Sequence, residues 1–219
     1  MNEEFRIYEA LLWEPPDGYF LLEYHLQRLK RTGSHFRFAL DLEAVRKQFS
    51  GYARQLPTQP RKVRLELSAS GAITLEHEKV RPSTPVVAAL ATEPVSSSDE
   101  FLRYKTSRRQ VFDRAHAAHP KAQDVLLWNE RRELTETCHG NVVLEVAGRR
   151  LTPPVSAGLL PGVFRAYLLD RGEIHEQTLP VESLQEASAV FMINSVRRWC
   201  QMRLTQGVPR WKETADGPG

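Results

Sequence analysis

The stretch DVLLWNERRELTETCHGNVVLEVAGRRLTPPVSAGLLPGVFR occupies residues 124–165 and carries the clearest local signals of the fold. Its first six residues form an apolar run typical of a buried strand, and a charged turn follows them. The runs at residues 141–146 and 149–152 flank Gly148 and predict a hairpin. Gly162 then precedes a predicted helix. The stretch therefore predicts a sheet with a helix entering from a glycine turn.

The rest of the chain mixes strand and helix signals without a regular βαβ order. Strands are predicted at residues 5–13, 19–22, 62–68, 72–80, 86–92 and 189–193, and helices at residues 23–34, 42–55, 108–119 and 182–187. We expect the first helix to end at Gly33 and Asp41 to cap the second. This mixture predicts the α+β class with two domains rather than a doubly wound sheet.

A polar stretch without periodicity, EPVSSSDE at residues 93–100, is the best candidate for a domain boundary. We expect a small N-terminal α+β domain over residues 1–95 and an interdomain linker over residues 96–104. A larger C-terminal domain is then expected over residues 105–219.

Charge and cysteine content restrict the class of function. The 30 basic and 27 acidic residues give a net charge of +3, spread along the chain, which does not argue for nucleic acid. It is compatible with an anionic small-molecule ligand, because a few arginines can converge in one site. Cys138 and Cys200 show no metal-ligand spacing, so we predict no metal site. We expect two free thiols in a reducing compartment, with a single long-range disulfide as the alternative.

No apolar run approaches the roughly 20 residues that a membrane span requires. The acidic start MNEEFRIYEALLW lacks the basic and apolar pattern of a signal peptide. We therefore expect a cytoplasmic protein that does not contact membranes.

Lys105, in FLRYKTSRRQ, directly follows the predicted linker, where two domains would face each other. An enzyme that uses pyridoxal 5'-phosphate (PLP) needs one lysine amine to hold the cofactor and to move protons. The basic neighbours Arg103, Arg108 and Arg109 favour a lowered pKa of that amine, and they fit a phosphate-facing surface equally well. Taken alone, a lysine beside a linker is more often a solvated surface residue.

Three further clusters have residue types suited to such chemistry. Glu136 could keep a pyridine nitrogen protonated, although a solvent-facing strand end is the simpler interpretation of one glutamate. The turn at Gly162 would present free backbone N–H groups at a helix start, a phosphate-binding arrangement, but a Pro-Gly pair is common there. Asn194-Ser195, followed by two arginines, could bind phosphate or carboxylates, and a charged helix start is the alternative.

The order of these clusters resembles that of the fold-type IV, or class IV aminotransferase, family of PLP enzymes. That family has H-x-x-R-L on an early helix, a lysine mid-chain, T-E-x-x-x-x-N, T-P, L-x-G-[IV]-x-R and a strand ending in N-[ST] or G-T. The matching segments are His25–Leu29, Lys105, Thr135–Asn141, Thr152-Pro153, Leu160–Arg165 and Asn194-Ser195. The lysine and the glutamate are 31 residues apart, which suits the family, and the matches cover nearly the whole chain.

The resemblance implies a two-domain, D-amino-acid aminotransferase-like fold with PLP in the cleft between domains. It implies that Lys105 carries PLP as a Schiff base and acts as general base and acid, while Glu136 pairs with the pyridinium nitrogen. Groups implied to hold the phosphate are Arg28, the backbone N–H groups of Val163 and Phe164, and the Ser195 hydroxyl, with Gly162 and Asn194 in the same cofactor-binding segments. A homodimer is also implied.

Within the family the chain most resembles the 4-amino-4-deoxychorismate lyases, which release pyruvate and form 4-aminobenzoate in the folate pathway. Two departures bear on the substrate: the Gly-rich stretch that normally precedes Phe5 is missing, and Ala10 and Leu12 replace an expected threonine and arginine. An aminotransferase acting on a small amino acid is the alternative, with Arg103, Arg197 and Arg198 as candidates for binding a carboxylate. A PLP-binding protein without catalysis is a third, and contact of Cys138 and His139 with substrate stays open.

Overall fold

The computed structural model describes residues 5–83 and 85–205, which form two β-sheets and four α-helices. The first sheet has the strand order β2-β1-β3-β4. Its strands are β1 (Ile7–Glu14), β2 (Gly18–Tyr19), β3 (Arg61–Leu67) and β4 (Ile73–Lys79). Neighbouring strands of this sheet pair antiparallel, and β3 and β4 form the hairpin that their alternating apolar and polar residues predict.

Helices α1 (Leu22–Phe36) and α2 (Leu42–Ala53) follow β2 and share one core with this sheet. The buried members of that core are apolar: Ile7, Leu11, Leu26, Leu29, Val45, Phe49, Val63, Leu65 and Leu67. The predicted cap of α2 is confirmed, because the Asp41 carboxylate accepts hydrogen bonds from the N–H groups of Glu43 (2.9 Å) and Ala44 (3.2 Å). The first sheet and the two helices therefore form one packed unit.

The prediction that α1 ends at Gly33 is wrong, since the helix continues to Phe36 and stops at Arg37, which is left-handed with φ of 57°. Gly33 allows a close approach instead: a Cβ there would lie 3.0 Å from Leu40 Cδ2. The strand predicted at residues 19–22 is likewise shorter, because Leu22 already begins α1. Packing, rather than a turn, explains this glycine.

The second sheet has the order β10-β9-β8-β11-β12-β5-β6-β7, and β7 also pairs with β8. This extra pairing closes β5, β6, β7, β8, β11 and β12 into a barrel filled by apolar side chains. The strands are β5 (Val86–Leu90), β6 (Asp124–Trp128), β7 (Leu134–Thr137), β8 (Asn141–Val146), β9 (Arg149–Thr152), β10 (His175–Glu176), β11 (Ala189–Asn194) and β12 (Arg198–Leu204). The helices of this half are α3 (Gln110–Ala118) and α4 (Val163–Asp170).

Several elements here differ from the sequence prediction. Strands β7 and β12 were not predicted, and the alternative of a charged helix start after Ser195 is wrong, because Arg198 begins β12. The helix predicted at residues 182–187 is a short 3-10 turn at Val181–Gln185. Strand β5 belongs to the second sheet, so the change of sheet occurs before the predicted linker at residues 96–104.

The two sheets are joined through the segment that contains Lys105. The Tyr8 N–H donates a hydrogen bond to the Lys105 carbonyl (3.1 Å), and Ile7 forms an antiparallel bridge with Thr106. The Ser107 N–H donates to the Arg6 carbonyl (2.8 Å). The three residues from Lys105 therefore lie antiparallel beside the start of β1, which sets the lysine between the two halves.

No helix within residues 5–83 and 85–205 combines the length and the apolar character needed to cross a membrane.

Candidate active site

Lys105 is the centre of the candidate site. Its Nζ lies 4.6 Å from the centroid of the Tyr8 ring, a cation–π contact. Burial lowers the pKa of the Lys105 amine, the Tyr8 phenol opposes this, and the Arg28 and Arg109 guanidinium groups lower it further. The amine is thus more readily uncharged than that of a solvated lysine, and the uncharged form is the one that acts as nucleophile or base.

Tyr8 and Arg109 also belong to this site. Arg109 was expected only as a basic neighbour that favours a lowered pKa of Lys105, and Tyr8 was given no role. The Arg109 Nη1 donates to the Tyr8 hydroxyl (3.1 Å), and its Nη2 donates to the Cys138 carbonyl (2.7 Å). Burial opposes ionisation of the Tyr8 phenol, but Lys105 and Arg109 outweigh it and lower its pKa. The alternation of residues along β1 could have indicated Tyr8, because Tyr8 lies on the opposite face of the strand from the core residues Ile7 and Leu11.

Glu136 lies on β7 and is buried, so its solvent-facing interpretation is wrong. Its Oε1 accepts a hydrogen bond from the Leu160 N–H (3.0 Å), and Asn141 Nδ2 donates to the Leu160 carbonyl (2.8 Å). Burial raises the pKa of Glu136 to about 8, against the opposing effects of that N–H and of Lys105 and Arg109. A buried carboxyl of this kind is suited to share a proton with a ring nitrogen.

The segment at Gly162 begins α4 next to Asn141. A Cβ at Gly162 would lie 2.0 Å from Asn141 Oδ1, so only glycine fits there without movement. Gly162 is the N-cap residue and has no side chain with which to cap the helix. The backbone N–H groups of Val163 and Phe164 thus stand at a positively polarised helix start, as an anion site requires.

Arg28 is buried on α1 and pairs with Glu9 of β1. Its Nε donates to Glu9 Oε1 (2.8 Å) and its Nη2 to Glu9 Oε2 (2.5 Å). The His25 Nδ1 lies 2.7 Å from the same Oε2. The predicted phosphate ligand is therefore held within a buried ionic cluster.

The turn after β11 uses Asn194 as a structural residue and leaves Ser195 beside β1. The Asn194 Oδ1 accepts hydrogen bonds from the N–H groups of Val196 (3.0 Å) and Arg197 (2.8 Å), and its Nδ2 donates to the His139 carbonyl (3.1 Å). The Ser195 hydroxyl donates to the Ala10 carbonyl (3.2 Å). Asn194 therefore shapes the turn, and the hydroxyl of Ser195 is the group suited to a ligand.

Cys138 and His139 each have a partner within the protein. The Cys138 thiol is buried, lies 3.6 Å from the Phe112 carbonyl, and has a pKa raised by burial to about 12. The His139 Nδ1 lies 3.1 Å from the buried Asp124 carboxylate. The Cys138 side chain belongs to the apolar core of the barrel, whereas the His139 side chain is exposed.

The arginines suggested for a substrate carboxylate each donate a hydrogen bond to another group of the protein. Arg103 donates to the Ser97 carbonyl, Arg197 to the Pro82 carbonyl, and Arg198 to Glu14. Arg64, on β3, was not suggested by sequence. Its Cζ lies 4.6 Å from the Tyr8 ring centroid, the same distance as Lys105 Nζ, so the two cations are at most about 9 Å apart.

Taken together, the donors and acceptors fit PLP. An uncapped helix start and a buried guanidinium suit its phosphate, a buried carboxyl suits its ring nitrogen, and an amine with a lowered pKa suits its aldehyde. The pKa of Glu136 responds to Lys105, Arg109 and Arg28, so these groups share one electrostatic environment. Gly162 lies so close to Asn141 that a side chain at position 162 would collide with it, so the backbone at this helix start is bare.

Comparison with known proteins gives a consistent result. A family model described as amino-transferase class IV matches residues 6–204. The chain is 31% identical over 210 residues to a Schizosaccharomyces pombe protein provisionally named aminodeoxychorismate lyase, with 91% of this chain and 89% of that protein covered.

Solved structures show the same architecture. A provisionally described amino-acid aminotransferase from Mesorhizobium loti superposes with a TM-score of 0.85 and 32% identity, covering 92% of this chain and 100% of that one. The PLP-bound form of a hypothetical aminotransferase from Mycobacterium tuberculosis has a TM-score of 0.77 and 20% identity, covering 94% and 84%. The predicted α+β, fold-type IV architecture is therefore confirmed.

Proposed function

The chain belongs to the class IV aminotransferases, a family of PLP-dependent enzymes, and from this we propose that it is a lyase of the 4-amino-4-deoxychorismate type. Such an enzyme would release pyruvate and leave 4-aminobenzoate. The observation that carries the proposal is the grouping of Lys105 and Glu136 beside the helix start at Gly162. The likeness to the Schizosaccharomyces pombe relative supports the lyase among the activities of the family.

The proposed cofactor contacts use residues from both halves of the protein. Arg28, the N–H groups of Val163 and Phe164, and the Ser195 hydroxyl would bind the phosphate, while Glu136 would lie at the ring nitrogen. When bound, PLP supplies an electron-withdrawing ring that accepts the charge left when a proton leaves the substrate carbon. Glu136 holds the proton at the ring nitrogen, since burial already favours a shared proton over a bare carboxylate.

Lys105 is the proposed general base and acid. Its amine takes the proton from the ring carbon that bears the substrate amino group. The bond between the adjacent ring carbon and the enolpyruvyl oxygen then breaks, and Lys105 returns the proton to the methylene carbon to complete pyruvate. The six-membered ring becomes aromatic, so the chain's main tasks are orientation and proton transfer.

Tyr8, Arg64 and Arg109 are the proposed substrate-facing groups. The substrate carries two carboxylates, and the two guanidinium groups meet at the Tyr8 side chain beside Lys105. Arg64 also forms ion pairs with Glu66 (2.7 Å from its Nη2) and Glu76 (3.8 Å from its Nε), which a substrate carboxylate would share. Its position on β3 provides the cation that Ala10 and Leu12 do not.

An aminotransferase of small amino acids is the second candidate, because the Mesorhizobium loti structure carries that provisional description and is 32% identical. It would use the same Lys105 and Glu136 but would need a keto acid as amine acceptor.

The test is pyruvate release from 4-amino-4-deoxychorismate by PLP-loaded protein without added keto acid, with Lys105→Ala as the control. We expect release by the wild type and none by the variant. Turnover that depends on a keto acid would overturn the lyase proposal. A protein that binds PLP but turns over neither substrate would be a carrier without catalysis.

We also propose a cytoplasmic homodimer, with PLP in the cleft between two domains. Sedimentation velocity at several protein concentrations would measure the assembly, and a monomer at all concentrations would contradict it.

A further inference from the structure

Glu9, His25 and Arg28 form a buried cluster between β1 and α1. Each side chain is at most 7% exposed. The Glu9 carboxylate accepts from the Nε and Nη2 of Arg28 at 2.8 and 2.5 Å, and lies 2.7 Å from His25 Nδ1. His25 and Arg28 are one helical turn apart on α1, which brings both to the same carboxylate.

The protonation states of the cluster follow from its surroundings. Burial opposes ionisation of Glu9, but the Arg28 charge and the hydrogen bonds outweigh it and lower the pKa to about 2. Burial lowers the pKa of His25, so its ring is neutral near pH 7. A neutral ring beside an ionised carboxylate must place its single proton on Nδ1, which makes His25 a donor to Glu9.

Glu9 contacts only one edge of the Arg28 guanidinium. Nε and Nη2 face the carboxylate, and no described residue accepts a hydrogen bond from Nη1. The guanidinium is planar, so fixing the Nε–Nη2 edge also fixes the direction of the N–H groups on Nη1. Those N–H groups are the ones available to an anion.

We propose that Glu9, held in turn by His25, is a positioning residue that aims the Nη1 edge of Arg28 at the cofactor phosphate. The inference rests on the proposed function, since it requires that PLP binds with its phosphate at Arg28. A free arginine side chain would lose rotamer freedom when it bound phosphate. Here folding has already imposed that loss, so binding becomes tighter. Glu9 contacts no ligand in this arrangement and acts only through Arg28.

The test compares PLP with pyridoxal, which lacks the phosphate, as ligands of the apoprotein. Glu9→Asp keeps the negative charge but withdraws the carboxylate by one methylene, so it separates positioning from charge. We expect the variant to bind PLP about tenfold more weakly, as for loss of charge-assisted contacts, with pyridoxal affinity nearly unchanged. The absorbance of the Schiff base measures both dissociation constants, and no turnover is needed.

A matched pair at His25 provides the second measurement if Glu9→Asp does not fold. His25→Asn keeps an N–H near the Nδ1 position, and His25→Leu removes it. We expect the ratio of pyridoxal to PLP dissociation constants to stay at the wild-type value in His25→Asn and to fall severalfold in His25→Leu.

The outcomes separate the inference from the proposed function. Equal weakening of both ligands would mean a general loss of structure and would overturn the positioning role. So would a wild-type ratio in both Glu9→Asp and His25→Leu. If the wild type forms no Schiff base with either ligand, the proposed function fails and the inference fails with it.

Discussion

Replacing Gly162 with alanine perturbs the point where α4, β8 and β7 meet. Gly162 has φ of −67° and ψ of 146°, a conformation open to alanine, so any effect comes from the added methyl group. That Cβ would lie 2.0 Å from Asn141 Oδ1 and 3.2 Å from its Cγ. The Asn141 amide must therefore move, and we expect the movement to break its hydrogen bond to the Leu160 carbonyl.

The magnitude follows from two costs. Loss of the Asn141–Leu160 hydrogen bond costs about 1 kcal/mol. Forcing a methyl group into this packed contact costs about 1–3 kcal/mol more. We expect Gly162→Ala to lower the free energy of unfolding by about 2–4 kcal/mol. Because Leu160 also donates to Glu136, PLP affinity should fall as well.

Urea unfolding of the apoprotein is the assay, and Gly51→Ala is the matched control. Gly51 is exposed in α2 with nothing within 4 Å of an added Cβ, so alanine there should stabilise by up to about 1 kcal/mol. Gly162→Ala combined with Asn141→Ser should cost less than the sum of the two single changes, since serine removes the clash. Strict additivity, or a Gly162→Ala protein as stable as the wild type, would refute the reasoning.

Three further outcomes test separate parts of the structure. The folded pKa of Glu136 is about 8 against an ordinary 4.5, so its contribution to apoprotein stability is complete below pH 4.5 and is lost as the pH rises through 8. Glu136→Gln should therefore make the urea midpoint depend less on pH between 5 and 9 than in the wild type. Equal pH dependence in the two proteins would contradict the raised pKa. Arg64→Gln should raise KM for the anionic substrate about tenfold with a smaller change in kcat and wild-type PLP affinity; an unchanged KM would remove Arg64 from the site. Asp41→Ala should lower stability by about 1 kcal/mol in thermal unfolding while the absorbance spectrum with PLP stays the same, and an altered spectrum would show that the cap reaches the site.

Local signals in the sequence were sufficient for the elements whose residues pack against near neighbours. The hairpin of β3 and β4 alternates visibly, and Asp41 caps α2 as its position predicts. Strand β7 was missed because three of its four residues are polar, and only the barrel buries them. Strand β12 was missed because its charged start suggested a helix. It forms a hairpin with β11, which directly precedes it, but its other partner β5 comes from a distant part of the chain.

The candidate site likewise contains residues that the sequence predicted and residues that it did not. The order of Arg28, Lys105, Glu136 and Gly162 along the chain was sufficient to group them. Their partners Tyr8 and Glu9 were not predicted, because each is one residue of a strand whose contacts depend on long-range register. The Lys105 segment meets β1 across about a hundred residues of chain, and no local pattern encodes that pairing.

The PLP chemistry of Lys105 is tested most directly by reducing the PLP-treated protein with borohydride and mapping the labelled peptide by mass spectrometry. We predict a stoichiometric pyridoxyl label on Lys105 in the wild type and loss of that label in Lys105→Arg. Two results would contradict the assignment of Lys105 as the lysine that holds the cofactor. One is a label spread over surface lysines in the wild type, and the other is an equal amount of label on other lysines in Lys105→Arg.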